Sequence, residues 1–205
     1  MSAWRRQPIG TLVTAPSVEP LTLAEAKLYL RVTHTAEDAL ITSLIVAGRQ
    51  WIETYTRRAL CTQTWDFRYA GFPDRWRPLV VPNAPLQSVT SITYIDDDEA
   101  TQTLSTSLYV VRTQAGPTAA RGTIEAADSV TMPTVSDAPD LPVIVRAVCG
   151  YGAAAAVPDG IKAGLYLLLG DLYEQRQVTV VGTITSKTQT TVERLLSPYR
   201  LVEAA

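Results

Sequence analysis

Residues Pro20 to Leu60 constrain this chain more than any other stretch, because PLTLAEAKLYLRVTHTAEDALITSLIVAGRQWIETYTRRAL reads as two capped helices joined by a short turn. Thr22 followed by Glu25 has the spacing of a capping box, in which each side chain satisfies a backbone N–H that the first helical turn leaves unbonded. That spacing predicts a helix from Leu23, with Leu23, Ala26 and Leu30 forming a narrow apolar stripe that needs cover. Thr35 with Asp38 repeats the capping pattern. Beyond it Leu40, Ile41, Leu44, Ile45, Gly48, Trp51, Ile52 and Tyr55 recur at steps of three and four, the inner face of a second helix. Thr42, Ser43, Arg49, Gln50, Glu53 and Arg57 are expected on its outer face, and Arg57 and Arg58 in its last turn complement the carbonyl end of the helix dipole.

After Leu60 the period changes. Trp65, Phe67 and Tyr69 alternate with Thr64, Asp66 and Arg68, which predicts a half-buried strand. Pro73, Pro78, Pro82 and Pro85 limit Leu79 to Val81 to a short or edge strand. Val89 to Ile95 is strand-like, the acids Asp96 to Glu99 read as a solvated hairpin turn, and Thr103 to Arg112 is expected as the return strand. Between Gln114 and Asp140 only Gly122 to Glu125 has strand character, and mobile loops are expected around it; PVIVRAVC at Pro142 to Cys149 is a strong strand. Pro158 suits the first turn of a helix running to about Arg176. This third helix is apolar nearly all round and contains Gly160, Gly164 and Gly170. Each glycine costs about 1 kcal/mol relative to alanine in a helix interior, which implies close approach by a neighbour. VTVVGTITSKTQ reads as a β-type excursion or linker, and Thr190 to Pro198 as a short final helix needing a docking partner.

The fold class expected is therefore α+β: a helical bundle of two N-terminal and two C-terminal helices, with a β-rich insertion between helices two and three. The divisions are an extended N-terminal arm at 1–19, a helical hairpin at 20–61, the β-rich insertion at 62–149, and C-terminal helices with a docking tail at 150–205.

Charge narrows the function. A net charge of −2 argues against a broad grip on nucleic acid, which needs clustered Lys and Arg. Two cysteines far apart, Cys61 and Cys149, and no apolar leader stretch in the first nineteen residues predict a reducing compartment and no disulfide framework. No apolar window is long enough to span a membrane. Chemistry is equally sparse. His34 is the one histidine and lies in a turn, with nothing around it resembling a nucleophile turn or oxyanion loop. Two cysteines and one histidine are too few and too scattered for zinc. The run from Asp96 has Thr101 and Ser107 where a calcium loop needs Gly and Glu, and Gly150-Tyr151-Gly152 matches no phosphate-binding spacing. No catalytic, cofactor-binding or metal residues are expected. An alternative reading makes the first two helices a helix-turn-helix that binds DNA, although its outward residues near the start of the second helix are Thr42 and Ser43 rather than arginines.

Taken in order, PLTLAEAKLYLRV, EDALITSLIVAGRQWIETYTRRAL, VPNAPLQSVTSITYIDDD, VRAVCGYG, VPDGIKAGLYLLLGDLYEQR and VERLLSPYR resemble the head-tail connector (adaptor) proteins of tailed bacteriophages and phage-derived gene transfer agents. The resemblance implies a structural protein and not an enzyme, with no cofactor. It further implies a ring of twelve copies in the virion neck, assembled in the bacterial host cytoplasm. The ring would sit between the portal protein and a stopper or tail-completion protein and pass double-stranded genomic DNA without sequence preference. A closed ring needs two different complementary surfaces on each subunit, and the helices are expected to supply them. Leu195, Leu196, Tyr199 and Arg200 are expected to dock on the portal, and Trp4, Arg5 and Arg6 to contact a neighbouring subunit or tail component.

Overall fold

The computed structural model describes residues 7–74, 77–136, 141–174 and 185–202, of which 185–189 by backbone alone. The chain divides into two compact units: one of sheets, from Met1–Pro16 and Thr62–Gly150, and one of helices, from Ser17–Cys61 and Tyr151–Ala205.

In the helical unit, α1 spans Leu23–Leu30 and α2 Asp38–Thr56. The capping box forms as the spacing predicts: Thr22 Oγ1 accepts the Glu25 N–H at 3.2 Å, and the Glu25 carboxylate accepts the Thr22 N–H at 2.7 Å. The second cap does not form. Glu37 occupies the N-cap and its side chain makes no capping bond, its carboxylate accepting instead from the Tyr173 hydroxyl, while Thr35 turns the chain through its carbonyl, which accepts the Asp38 N–H. The Asp38 carboxylate is taken instead by Lys27 Nζ at 2.6 Å, tying the end of α1 to the start of α2.

α3 runs Asp159–Glu174 and α4 Thr185–Leu196, closing with a single 3₁₀ turn at Ser197–Tyr199. The last helix thus begins five residues before the expected Thr190; of the supposed linker, 178–184 lies outside the described residues. Ile41, Ile45 and Ile52 of α2, Ile161, Leu165 and Leu169 of α3, and Val192 and Leu196 of α4 share one core. The glycines of α3 are accounted for within this chain. A Cβ on Gly164 would stand 3.1 Å from Leu196, and one on Gly170 would stand 3.3 Å from the Tyr29 ring. Two residues of α2 depart from the predicted faces: Leu40 is exposed, and Arg49 is buried. Arg49 Nε donates to Glu19 and Nη1 to Glu53, each at 2.7 Å. Burial pulls this guanidinium down, but the two carboxylates outweigh it and hold its pKa above the ordinary value.

In the sheet unit, β1 (Ile9–Thr14), β2 (Gln63–Tyr69), β4 (Leu86–Ile95), β5 (Thr101–Thr103) and β8 (Val143–Cys149) form a sheet of order β1-β2-β8-β4-β5. β3 (Leu79–Val80), β6 (Tyr109–Arg112) and β7 (Thr123–Ala126) form a second, of order β3-β7-β6. Every pairing is antiparallel. Phe67, Val145 and Ile92 lie in one buried row across the larger sheet, as the alternation in β2 predicts. The sheets meet where Gly122, just before β7, lies too close to Leu86 to admit a Cβ, and where the Tyr69 hydroxyl donates to the Val80 carbonyl at 3.0 Å.

Two expectations change here. Residues 9–14 of the supposed arm are an edge strand bonded to β2. Thr103 to Arg112 is not one return strand, since β5 ends at Thr103 and a 3₁₀ turn at Thr106–Leu108 delivers β6 to the other sheet. The Ser105 hydroxyl caps that turn by accepting the Ser107 N–H.

Candidate assembly surfaces

The C-terminal segment is folded back onto its own unit. Leu196 and Val192 are fully buried, and the Tyr199 ring rests over Gly160, whose Cβ would meet its hydroxyl at 2.5 Å. Arg58, buried just beyond α2 and not exposed at the helix dipole, donates from Nε to the Tyr199 carbonyl and bonds the Tyr151 hydroxyl. The Leu201 N–H donates to the Thr56 carbonyl at 3.0 Å, and Arg200 lies over the Tyr55 ring, 5.2 Å from its centre, while Tyr55 stacks on Trp51. Of the four predicted docking residues, Leu196 and Tyr199 therefore fasten the segment, and Leu195 and Arg200 are exposed. Val202, two residues further on, is 83% exposed. Sequence reasoning missed it because a lone valine beyond a helix leaves no periodic signal.

A second surface lies on α1, where Leu28 is 82% exposed beside Tyr29. Tyr29 packs on Tyr166 with ring centres 5.0 Å apart, so one apolar side chain projects from an ordered aromatic base.

The sheet unit offers its edges. All six residues of β1 are exposed, with Ile9 at 58%. Trp4, Arg5 and Arg6, predicted to touch a neighbour, lie outside the described residues. At the other edge the acidic run forms the β4–β5 turn. The Asp96 carboxylate accepts from Gln102 Nε2 and from the N–H groups of Ala100 and Asp98, and these bonds, led by that from Gln102, lower its pKa. On the outer face of the sheet Arg146 and Asp66 form a two-pronged ion pair, both bonds 2.8 Å.

Among the described residues no group of three His, Cys, Asp or Glu is placed to hold a metal ion, and no helix is long and apolar enough to cross a membrane. His34 lies in an exposed turn with Nε2 4.0 Å from Glu37. The Thr42 and Ser43 hydroxyls, which a DNA-reading second helix would use, donate to the carbonyls of Asp38 and Leu40 in their own helix.

These features define a mixed helix-and-sheet protein. Residues 20–115 match the family described as phage gp6-like head-tail connector protein. The resemblance drawn from the sequence is borne out by this match. The fold is shared with chains of three solved assemblies. These are the neck of an empty gene transfer agent particle computed with C6 symmetry (23% identity, TM-score 0.76), the virion of the native particle (24%, 0.73) and the neck of the native particle computed with C12 symmetry (21%, 0.71). Each likeness covers 96% of this chain and 97% of the other. No curated protein matches the sequence.

Proposed function

We infer that this chain is the head-tail adaptor of a phage-like particle, forming a ring in the neck between portal and stopper or tail and leaving a channel for genomic DNA. The observation that carries this reading is the fold shared over nearly the full length of both chains with neck components solved under C6 and C12 symmetry. The helices from both ends of the chain share one core, interrupted in sequence by the sheet unit, which favours a bundle with a β-rich insertion. The portal contact falls to the exposed part of the C-terminal segment, Leu195, Arg200 and Val202, held in place by Leu196 and Tyr199. Trp4, Arg5 and Arg6 are assigned to a neighbouring subunit or tail component.

The test is the mass, by light scattering after size exclusion, of this protein alone and mixed with the portal protein encoded beside it. A ring-sized complex with the portal is expected; a monomer that ignores the portal would overturn the reading. The portal contact itself is tested by Leu195→Glu with Arg200→Glu, which should abolish co-elution while leaving the melting temperature within a few degrees. Truncation before α4 is unsuitable, because it removes Val192 and Leu196 from the core.

A further inference from the structure

The larger sheet has five strands, each antiparallel to the next, so its two edges, β1 and β5, run in the same direction. Among the described residues neither edge has a partner on its outer side. β1 is unprotected for an edge: six exposed residues, IGTLVT, with no charge and no proline to discourage a further strand. β5 is short, three exposed residues, and follows the exposed acids Asp97, Asp98 and Glu99. Exposed Arg68 stands beside the start of β1, paired with Ile9.

The geometry points to a sheet that continues from copy to copy: the β1 edge of one subunit adds, in parallel, to the β5 edge of the next. This rests on the ring reading above and assigns part of the ring contact to the sheet unit. Copies in a twelvefold ring differ by a rotation of about 30°. Such a step keeps each strand of one copy within about 30° of the same strand in the next, so edges that run in the same direction within a copy meet in parallel between copies. Two β1 edges would pair antiparallel about a twofold axis and stop at a dimer. Sheared by two residues, so that Ile9 stands beside Thr101 and Thr11 beside Thr103, the parallel alignment brings the starts of both strands together and Arg68 of one copy toward the acidic turn of the next. Register can be read across the sheet. Ile9, Arg68, Ile144, Thr93 and Thr103 form one continuous row, so an unsheared continuation sets Thr103 beside the Ile9 of the neighbour. Three residues of parallel pairing hold only a few hydrogen bonds, so the contact fixes register within a larger interface.

The experiment places a cysteine on each edge, as Ile9→Cys with Thr103→Cys and, for a register two residues along, Thr11→Cys with Thr103→Cys. Cys61 and Cys149 are fully buried, so the parent chain serves as a blank. Neck complexes assembled with the portal are oxidised mildly and run without reductant. One of the two pairs should give a covalent ladder that extends past the dimer toward the full ring, and single-cysteine chains should give none. A ring of normal mass with no ladder, or dimers from Ile9→Cys alone, overturns the inference and leaves the ring reading intact. If the parent chain forms no ring, the ring reading fails and this inference falls with it. Should both pairs block assembly under reductant, the charges decide. Arg68→Glu is expected to slow ring formation roughly tenfold at low salt and Asp97→Lys with Asp98→Lys to restore it; no such rescue overturns the inference.

Discussion

Arg49 gathers the two ends of the first helical segment. Its guanidinium holds Glu19, which precedes α1, and Glu53, whose other carboxylate oxygen accepts the Leu60 N–H at 2.9 Å as the segment ends. Replacing one member of a buried ion pair leaves the other charge uncompensated. Arg49→Met is therefore expected to destabilise the fold by about 3 kcal/mol, read as a lower urea midpoint with an unchanged slope; a loss under about 1 kcal/mol would mean that water screens the two glutamates. Periodicity put Arg49 and Glu53 outside because it counts polarity and cannot see a carboxylate arriving from thirty residues away. The buried thiols permit a different test. Burial pushes Cys61 up to about 11, with Glu19 and Glu53 adding to it, and pushes Cys149 up to about 12. Both should resist a thiol reagent at pH 8 until the chain unfolds, then react two per chain. A thiol raised on folding keeps its proton in the folded chain and loses it in the unfolded one, so stability should fall as pH climbs from about 9 toward these values. Melting temperatures unchanged between pH 8.5 and 11 would contradict that.

At the scale of elements, α3 owes its place to small residues. Gly48 of α2 admits the Leu165 side chain, whose Cδ1 would lie 2.6 Å from an added Cβ, and Gly160 and Gly164 admit Tyr199 and Leu196. Alanine would ordinarily strengthen a helix by about 1 kcal/mol over glycine. Gly160→Ala should do the reverse here, costing about 1 to 3 kcal/mol, because a rigid aromatic ring, on a backbone that Arg58 holds at the Tyr199 carbonyl, cannot step aside as the tip of a flexible chain can. Faster amide exchange in α4 would locate the damage; a more stable variant would show that the ring moves freely. The glycines were legible as close approaches from the sequence, whereas their partners were not, since nothing local tells Tyr199 from a neighbouring subunit. The capping box of α1 was legible because both of its members sit within one turn. The cap expected of Thr35 was not, because a tertiary bond from Lys27 claims Asp38. Thr103 to Arg112 misled for a related reason: its alternation continues through Leu104, which is buried, while the Ser105 cap redirects the chain.

For the whole molecule the decisive quantity is charge. Eighteen basic and twenty acidic residues leave a net charge of −2, and several of the cations are already committed, Arg49 to Glu19 and Glu53, Arg146 to Asp66, Arg112 to Glu125 and Lys27 to Asp38. Affinity for duplex DNA comes mainly from cations that displace counterions from phosphates. A conduit gains from lacking them, because each phosphate contact is a bond that the passing genome must break. The helices point the same way, since the hydroxyls best placed to read bases, those of Thr42 and Ser43, are turned to their own backbone. The chain should accordingly bind a fluorescent duplex no more tightly than about 10 µM at about 0.15 M salt, with no preference among sequences. Anisotropy titration against two unrelated duplexes decides it. Tight binding to one of them, lost on Thr42→Ala with Ser43→Ala, would restore the helix-turn-helix reading, whereas uniformly weak binding is what a ring that transmits DNA without holding it requires.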